Sequence, residues 1–142
     1  MGLKVPPSLK NIIKELNSDL SLNLPLDNGD LTSWVKQGVL LLNCALTVPI
    51  GKPGEHLKLW EPITNTIIKN LSDNYNDIIF ILWGNFAISK KSYINHNCPI
   101  LEGGHPSPLN RHLKENFFGK KFFSNANKIL QEKGKTQINW II

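Results

Sequence analysis

The chain has 142 residues, of which 41% are hydrophobic, and its formal net charge is +5 at pH 7. This length predicts a single domain over residues 1–142, and the apolar content argues against wholesale disorder. No apolar run approaches the roughly 18 residues of a membrane span, and residues 1–6 contain no apolar signal-peptide core. We therefore expect an intracellular protein, in cytoplasm or nucleus, without a membrane partner.

The charge and the possible metal ligands narrow the function classes further. The positive charge consists of 15 lysines and one arginine, Arg111, and it fits a phosphate-bearing partner as well as it fits mere solubility. Cys44 and Cys98 are too few for a disulfide framework or a four-thiolate zinc site. His56, His96 and His112 also lack metal-ligand spacing, so we expect no metal site.

Two helices are predicted in the first third of the chain. Apolar residues recur with a 3.6-residue period over 8–20, and Ser8 is placed to cap that helix. A shorter helix follows Asp30 and stops at Gly38. Its inward-facing residues are expected to be Leu31, Trp34 and Val35.

Buried strands alternate with helices in the remainder. The apolar runs Val39–Leu42 and Ile78–Trp83 predict strands covered on both faces, and a short strand is predicted at Pro99–Leu101. Helices are predicted over 61–71, 86–91 and 122–133. The first of them should have Pro62 in its first turn and should bury Ile63, Ile67 and Leu71. This alternation indicates an α/β fold with a parallel sheet.

Ligands of parallel sheets bind beyond the carboxyl ends of the strands. Asn43 follows the first predicted strand, Gly84 and Asn85 follow the second, and a Gly-Gly-His-Pro-Ser-Pro-Leu segment over 103–109 follows the third. We expect these three points to converge.

The residues at these points could carry chemistry. The amide of Asn43 offers donors and an acceptor that match a pyrimidine edge, although it could also simply bond backbone at a strand end. His105 precedes two prolines that fix its turn, and it could donate a hydrogen bond to a developing oxyanion or be an ordinary surface histidine. Leu109 forms an apolar loop tip, either half-buried or a wedge for a partner. Ser8, Ser107 and the amides around Gly84 could hold phosphate oxygens.

Several blocks occur together in one order along the chain: Pro6-Pro7-Ser8-Leu9, Gly29-Asp30-Leu31, the run from Trp34 to Asn43, Leu46-Thr47-Val48, Trp60-Glu61, Leu82-Trp83-Gly84, His105-Pro106-Ser107-Pro108-Leu109, Phe117-Phe118-Gly119 and Asn139-Trp140. In this the sequence resembles the family 1 uracil-DNA glycosylases over essentially its whole length.

The resemblance implies a role in DNA repair: cleavage of the bond between uracil and deoxyribose in single- or double-stranded DNA, without a cofactor. It implies a three-layer α/β/α fold around a small, mainly parallel sheet. Asn43 would pair with the uracil edge, His105 would stabilise the departing uracil anion, and Leu109 would enter the duplex where the nucleotide swings out. The residues implied to grip the DNA backbone are Pro6, Pro7, Ser8, Gly84, Asn85 and Ser107.

The departures from the family concern the start of the domain. The family carries a Gln-Asp-Pro-Tyr-His segment, whose Asp positions the attacking water, at the end of an earlier strand, and this sequence lacks that segment. The earlier strand belongs between the strands that match Val39–Leu42 and Ile78–Trp83. The family's sheet has four strands, so we expect an N-terminally truncated domain that lacks one of them. We expect it to be a monomer unless another chain fills the place of the missing strand. Asn110 also stands where the family commonly has Ser.

Three interpretations remain open from the sequence. The chain could be an active glycosylase, although we find no geometric reason for Asp30 or Glu102 to replace the missing Asp. It could be a non-catalytic DNA-binding or protein-interaction module on the same scaffold. It could also be an inactive fragment of a longer enzyme. Asn43→Asp is predicted to relax discrimination toward cytosine, because a carboxylate can accept from the cytosine amino group.

Overall fold

The structure is a computed structural model that describes residues 5–42 and 57–142, with the side chains of 57–60 left out. Six α-helices, a 3-10 helix and two strands lie in these ranges. In chain order they are α1 (Pro7–Leu20), α2 (Thr32–Lys36), α3 (Leu57–Asn74), β1 (Phe80–Trp83), α4 (Asn85–Ile88), the 3-10 helix (Ser89–Tyr93), β2 (Ile100–Gly103), α5 (Leu113–Asn116) and α6 (Phe122–Glu132).

The two strands form a parallel pair. Phe80 is opposite Ile100, and the register continues to Trp83 opposite Gly103. The pairing extends one residue further, because the Gly84 N–H donates to the Gly103 carbonyl at 2.8 Å. The predicted α/β class with parallel pairing is confirmed, and both strands therefore end at the same edge of the sheet.

Alternating side chains of β1 point into two different cores. Ile81 and Trp83 pack with α1, α2 and α6 around a core of Leu16, Trp34, Phe123, Ala126 and Trp140. Phe80 and Leu82 pack on the opposite face with Ile68 of α3, Ile94 and Cys98. Helices thus cover both faces of the sheet, as the layered architecture predicts.

Helix α1 matches its prediction except at its first turn. It begins at Pro7, whose fixed φ suits the first helical position and whose missing N–H has no acceptor there. Ser8 therefore lies inside the first turn, and the predicted Ser8 cap is wrong, because the capping position belongs to Pro6 and no side chain caps the helix.

Helix α3 differs from its prediction in start and in buried face. It begins at Leu57, so Pro62 lies inside the helix, where it removes one backbone hydrogen bond, rather than in the first turn. Its buried residues include Thr64, Ile68 and Ser72, whereas Ile63 and Ile67 are exposed. Leu71 is half-buried. The buried stripe is thus rotated by one residue, and it includes Ser72, whose Oγ accepts from the Asn95 N–H.

The predicted strand at Val39–Leu42 is wrong. These residues have no strand partner among the described residues, and Leu40 and Leu41 are 64% and 53% exposed. An apolar run forms a strand only if a neighbouring strand pairs with its backbone, and here the Val39 N–H instead donates to Trp34 O, closing the end of α2. Val35, expected to face inward, is also exposed, whereas Trp34 is buried.

Two features are absent from the described residues. None of the helices there combines the length and the apolar character needed to cross a membrane. Within the same ranges, no three His, Cys, Asp or Glu side chains gather as a metal-binding group.

Candidate functional site

The edge where β1 and β2 end brings two of the three predicted points together. Gly84 follows β1 with φ at +91°, a conformation that L residues rarely adopt. A β-carbon placed on Gly84 would lie 3.2 Å from the β-carbon of His105, which follows β2 by two residues. The Gly84 turn and the His105 loop are therefore in contact at the carboxyl end of the sheet.

The imidazole of His105 has one nitrogen engaged. Its Nδ1 accepts a hydrogen bond from the backbone N–H of Ser107 at 3.0 Å. An acceptor at Nδ1 requires a lone pair there, so the uncharged ring carries its proton on Nε2. His105 is exposed, and the arrangement leaves a ring N–H donor available to a ligand.

The loop that follows His105 is closed by local hydrogen bonds. Ser107 Oγ accepts from the Leu109 N–H at 3.1 Å, and the Asn110 N–H donates to the Ser107 carbonyl at 3.0 Å. Pro106 is buried beneath the loop, whereas Leu109 at its tip is 90% exposed. The loop therefore presents one large apolar side chain to solvent from a tightly turned base.

Sequence reasoning missed three asparagines that support this loop. Asn11 of α1 donates to the Pro106 carbonyl at 2.7 Å, and Asn110 donates to the His105 carbonyl and to Asn116 Oδ1, each at 2.9 Å. A β-carbon on Gly104 would lie only 1.9 Å from Asn116 Oδ1. Asn110 was noticeable only as a departure from the family's usual Ser, and Asn11 was hidden within the polar face of a helix.

The remaining predicted contact residues lie at the surface around these loops. Pro6, Pro7 and Asn85 are exposed, and Ser8 and Ser107 are half-buried. The bond from Asn11 places the first turns of α1 beside the His105 loop. The DNA-gripping roles of these residues stay predictions.

Asn43 lies outside the described residues, so its convergence with Gly84 and His105 stays a prediction. Two open depressions in the described part of the chain lie elsewhere. One of about 610 Å³ is lined by Glu61, Pro62, Asn65, Thr66 and Tyr93. The other, of about 450 Å³, is lined by His96, Asn97, Cys98, Pro99, Ile129, Glu132 and Lys133.

The two carboxylates considered above as replacements for the missing Asp, Glu102 and Asp30, both have partners. Glu102 forms an ion pair with Lys91 at 2.7 Å. Asp30 accepts hydrogen bonds from the hydroxyl and the backbone N–H of Thr32, which hold the pKa of that carboxyl below its ordinary value. Both carboxylates are thus used in local structure.

The sequence of this chain matches a known protein family. The family model described as the uracil DNA glycosylase superfamily matches residues 2–131. The chain belongs to this superfamily. Curated relatives of this uracil DNA glycosylase superfamily member include the uracil-DNA glycosylase of Campylobacter lari, 49% identical over 99% of this chain, and that of Streptococcus pyogenes, 46% identical over 98%. The chain spans 60% and 63%, respectively, of those relatives' lengths.

Solved structures show the same fold. A crystal structure of mimivirus uracil-DNA glycosylase superimposes with a TM-score of 0.89 at 27% identity, covering all of this chain and 57% of the other. A variant of mimivirus UNG, solved in complex with UGI, superimposes with a TM-score of 0.90 at 27% identity, and 58% of it is covered. The resemblance seen in the sequence blocks is therefore confirmed at the level of family and fold.

Proposed function

We propose that the site at the carboxyl end of the β1–β2 pair takes part in releasing uracil from DNA by hydrolysis of the N-glycosidic bond. Superfamily membership supports the reaction class. The contact between Gly84 and His105 supports the location, because it joins two turns that the resemblance assigns to the target nucleotide. The activity is a proposal for this chain, which spans about 60% of its relatives' length.

The hydrogen bond from Ser107 N–H to His105 Nδ1 is the observation that carries the mechanism. When the bond between sugar C1′ and uracil N1 breaks, its electron pair leaves with the base and part of the negative charge develops on O2. The Nε2–H of His105 would donate a hydrogen bond to O2. Because this donor is held before the reaction begins, it requires no reorganisation as the charge develops.

One water molecule supplies the groups that complete the hydrolysis. Its hydroxyl adds to C1′ and leaves an abasic sugar, and its proton neutralises the uracil anion. The carboxylates of Asp30 and Glu102 are engaged locally, so we assign activation of this water to neither of them.

DNA would be engaged through the exposed loops around His105. The target nucleotide must leave the stack, at a cost of a few kcal/mol, before a side chain reaches its glycosidic bond. Leu109 would enter the vacated space and offset part of the lost stacking. The turns formed by Pro6, Pro7 and Ser8, by Gly84 and Asn85, and by Ser107 would contact phosphates, aided by the net charge of +5.

Recognition of the base is assigned to Asn43 on the basis of sequence. Its amide matches the donor and acceptor pattern of the uracil edge. In Asn43→Asp, release of cytosine from cytosine-containing DNA should rise relative to release of uracil. Equal inactivity of this variant on both bases would contradict the assignment.

A second candidate function is DNA binding without cleavage. It is favoured by the local engagement of Glu102 and Asp30 and by the exposure of Leu109, which serves binding without any chemistry. Such a module would bind DNA with an affinity that falls steeply with salt and would release no base.

A uracil-release assay on single-stranded uracil-containing DNA separates the two functions. We expect the purified chain to release uracil, His105→Leu to abolish the release, and His96→Leu to retain it, since His96 is an exposed histidine that takes no part in the site. Binding without release by the parent chain would favour the second function. Equal activity of parent and His105→Leu would contradict the role of His105.

A further inference from the structure

We propose that Asn11 and Asn110 are positioning residues that set the orientation and tautomer of His105 by holding the carbonyl groups of His105 and Pro106. The geometric claim concerns this chain's own loop. Its catalytic consequence rests on the function proposed above.

Asn11 acts through a single peptide unit. Its Nδ2 donates to the Pro106 carbonyl at 2.7 Å, and the Ser107 N–H belongs to the same planar trans peptide. In a trans peptide the C=O and N–H point in opposite directions, so fixing the carbonyl toward Asn11 aims the N–H away from it. That N–H is the one donated to His105 Nδ1 at 3.0 Å. Two hydrogen bonds in series therefore connect the Asn11 amide to the imidazole, and each polarises the other.

The support beneath Asn11 is rigid. Its side chain is buried, with the residue only 8% exposed, and Ile13 and Leu16 of the same helix are wholly buried in the core. A buried amide is stable only while it is hydrogen-bonded, so the bond to Pro106 links α1 to a loop 95 residues away. This bond therefore fixes the position of the His105 loop relative to the hydrophobic core.

Asn110 holds the carbonyl group of His105, the residue before Pro106. Both hydrogens of its amide are used, one on the His105 carbonyl and one on Asn116 Oδ1. Its Oδ1 accepts from the His112 N–H at 2.9 Å. Asn116 is itself fixed, because its backbone carbonyl accepts from the Gly104 N–H at 2.7 Å.

Together the two asparagines fix two consecutive peptide planes. Asn110 holds the plane between His105 and Pro106, and Asn11 holds the plane between Pro106 and Ser107. The Pro106 ring restricts the φ torsion between these planes. The backbone on the carboxyl side of His105 thus has little freedom, and the Ser107 N–H cannot turn away from Nδ1.

The test uses nitrogen-15 spectra of the histidine rings, which distinguish protonation at Nδ1 from protonation at Nε2. At about pH 9, where an ordinary imidazole is uncharged, the parent chain should show the Nε2–H form of His105. Asn11→Asp replaces the donor with an acceptor of the same shape, so the His105 signals should shift toward a mixture of tautomers. Asn110→Asp should shift them in the same direction.

Asn17→Asp provides the matched control. Asn17 lies on the same helix, and its Nδ2 makes the same kind of bond, to the Leu24 carbonyl at 3.0 Å, away from His105. This variant should leave the His105 signals unchanged while losing a comparable structural bond. If Asn11→Asp fails to fold, Asn110→Asp, at a half-buried loop position, decides the question. Unchanged His105 signals in folded Asn11→Asp or Asn110→Asp would overturn the proposal.

Activity supplies a second readout. If the parent chain releases uracil, Asn11→Asp should lower kcat about 10-fold or more with KM within about two-fold, because the misplaced donor is needed in the transition state. A rise in KM at unchanged kcat would contradict the positioning role. A parent chain that releases no uracil would refute the proposed function alone, since the tautomer measurement needs no turnover.

Discussion

Gly84 and His105 approach so closely that a β-carbon on Gly84 would lie 3.2 Å from the β-carbon of His105. The turn that ends β1 thus forms one wall against which the histidine rests. Because Gly84 also has φ at +91° and ψ at 161°, a region that is essentially restricted to glycine, both its backbone and its missing side chain are required here.

The first prediction uses this contact. Gly84→Ala should lower uracil release about 10-fold, because His105 would have to shift by a few tenths of an ångström, and a shift of about 1 Å at a reacting group costs about 100-fold. It should also lower the free energy of unfolding by about 1–3 kcal/mol through backbone strain. The measurements are single-turnover uracil release and urea denaturation.

Gly38→Ala is the control for that strain. Gly38 has φ at +93°, but a β-carbon there would meet nothing within 4 Å. This variant should therefore share the loss of stability and keep the activity. Equal activity of the two variants would show that the contact with His105 does not matter.

The second prediction concerns the tip of the His105 loop. Leu109 is 90% exposed, so Leu109→Ala should change the free energy of unfolding by less than about 0.5 kcal/mol. Uracil release from duplex DNA should fall about 10-fold, because the wedge offsets unstacking. Release from single strands, where there is little stacking to replace, should fall much less. Parallel losses on both substrates would argue against a wedge.

The third prediction concerns a buried carboxylate that joins two helices. Glu15 of α1 is only 1% exposed and accepts from the backbone N–H groups of Gly119 and Lys121, each at 2.8 Å, just before α6. Glu15→Gln turns an amide donor toward one of these N–H groups and should cost about 2 kcal/mol in the free energy of unfolding. Glu132→Gln, at an exposed position on α6, should change it little. A similar midpoint of urea unfolding for both variants would contradict this account.

The fourth prediction follows from the lowered pKa of Asp30. Its main cause is the hydrogen bond from the Thr32 hydroxyl, followed by that from the Thr32 N–H, and both favour the carboxylate. The stabilisation is therefore complete above the unfolded pKa of about 3.8 and is lost as the pH falls through the lower folded value. Thr32→Val should raise the pKa of Asp30 in a carbon-13 titration. Ser33→Ala should leave it unchanged, since the Ser33 hydroxyl donates to the Ile141 carbonyl instead.

The predictable part of the fold is the part where local pattern and tertiary environment agree. The 3.6-residue period over 8–20 marks α1, and the run Ile78–Trp83 contains β1 because α helices cover both its faces. The run Val39–Leu42 is also wholly apolar but has no strand partner among the described residues, and Leu40, Leu41 and Leu42 are exposed. Burial of an apolar run thus depends on its neighbours, which the run itself does not encode.

The candidate site also has a part that could be predicted from the sequence and a part that could not. His105 and Gly84 could be found because strand ends converge in a parallel pair, and the structure places them in contact. Asn11 could not be found, because its partner is a backbone carbonyl 95 residues away and backbone carbonyls have no sequence signature. Support for a functional loop through such bonds is visible only once the fold is known.

The exposed leucines that follow α2 have a practical consequence for work with the purified chain. Leu40, Leu41 and Leu42 form three adjacent apolar side chains in contact with water, and such patches promote self-association. Light scattering should therefore increase with protein concentration during storage, and Leu40→Lys should suppress that increase. Enzymatic assays are best run on dilute, freshly prepared samples.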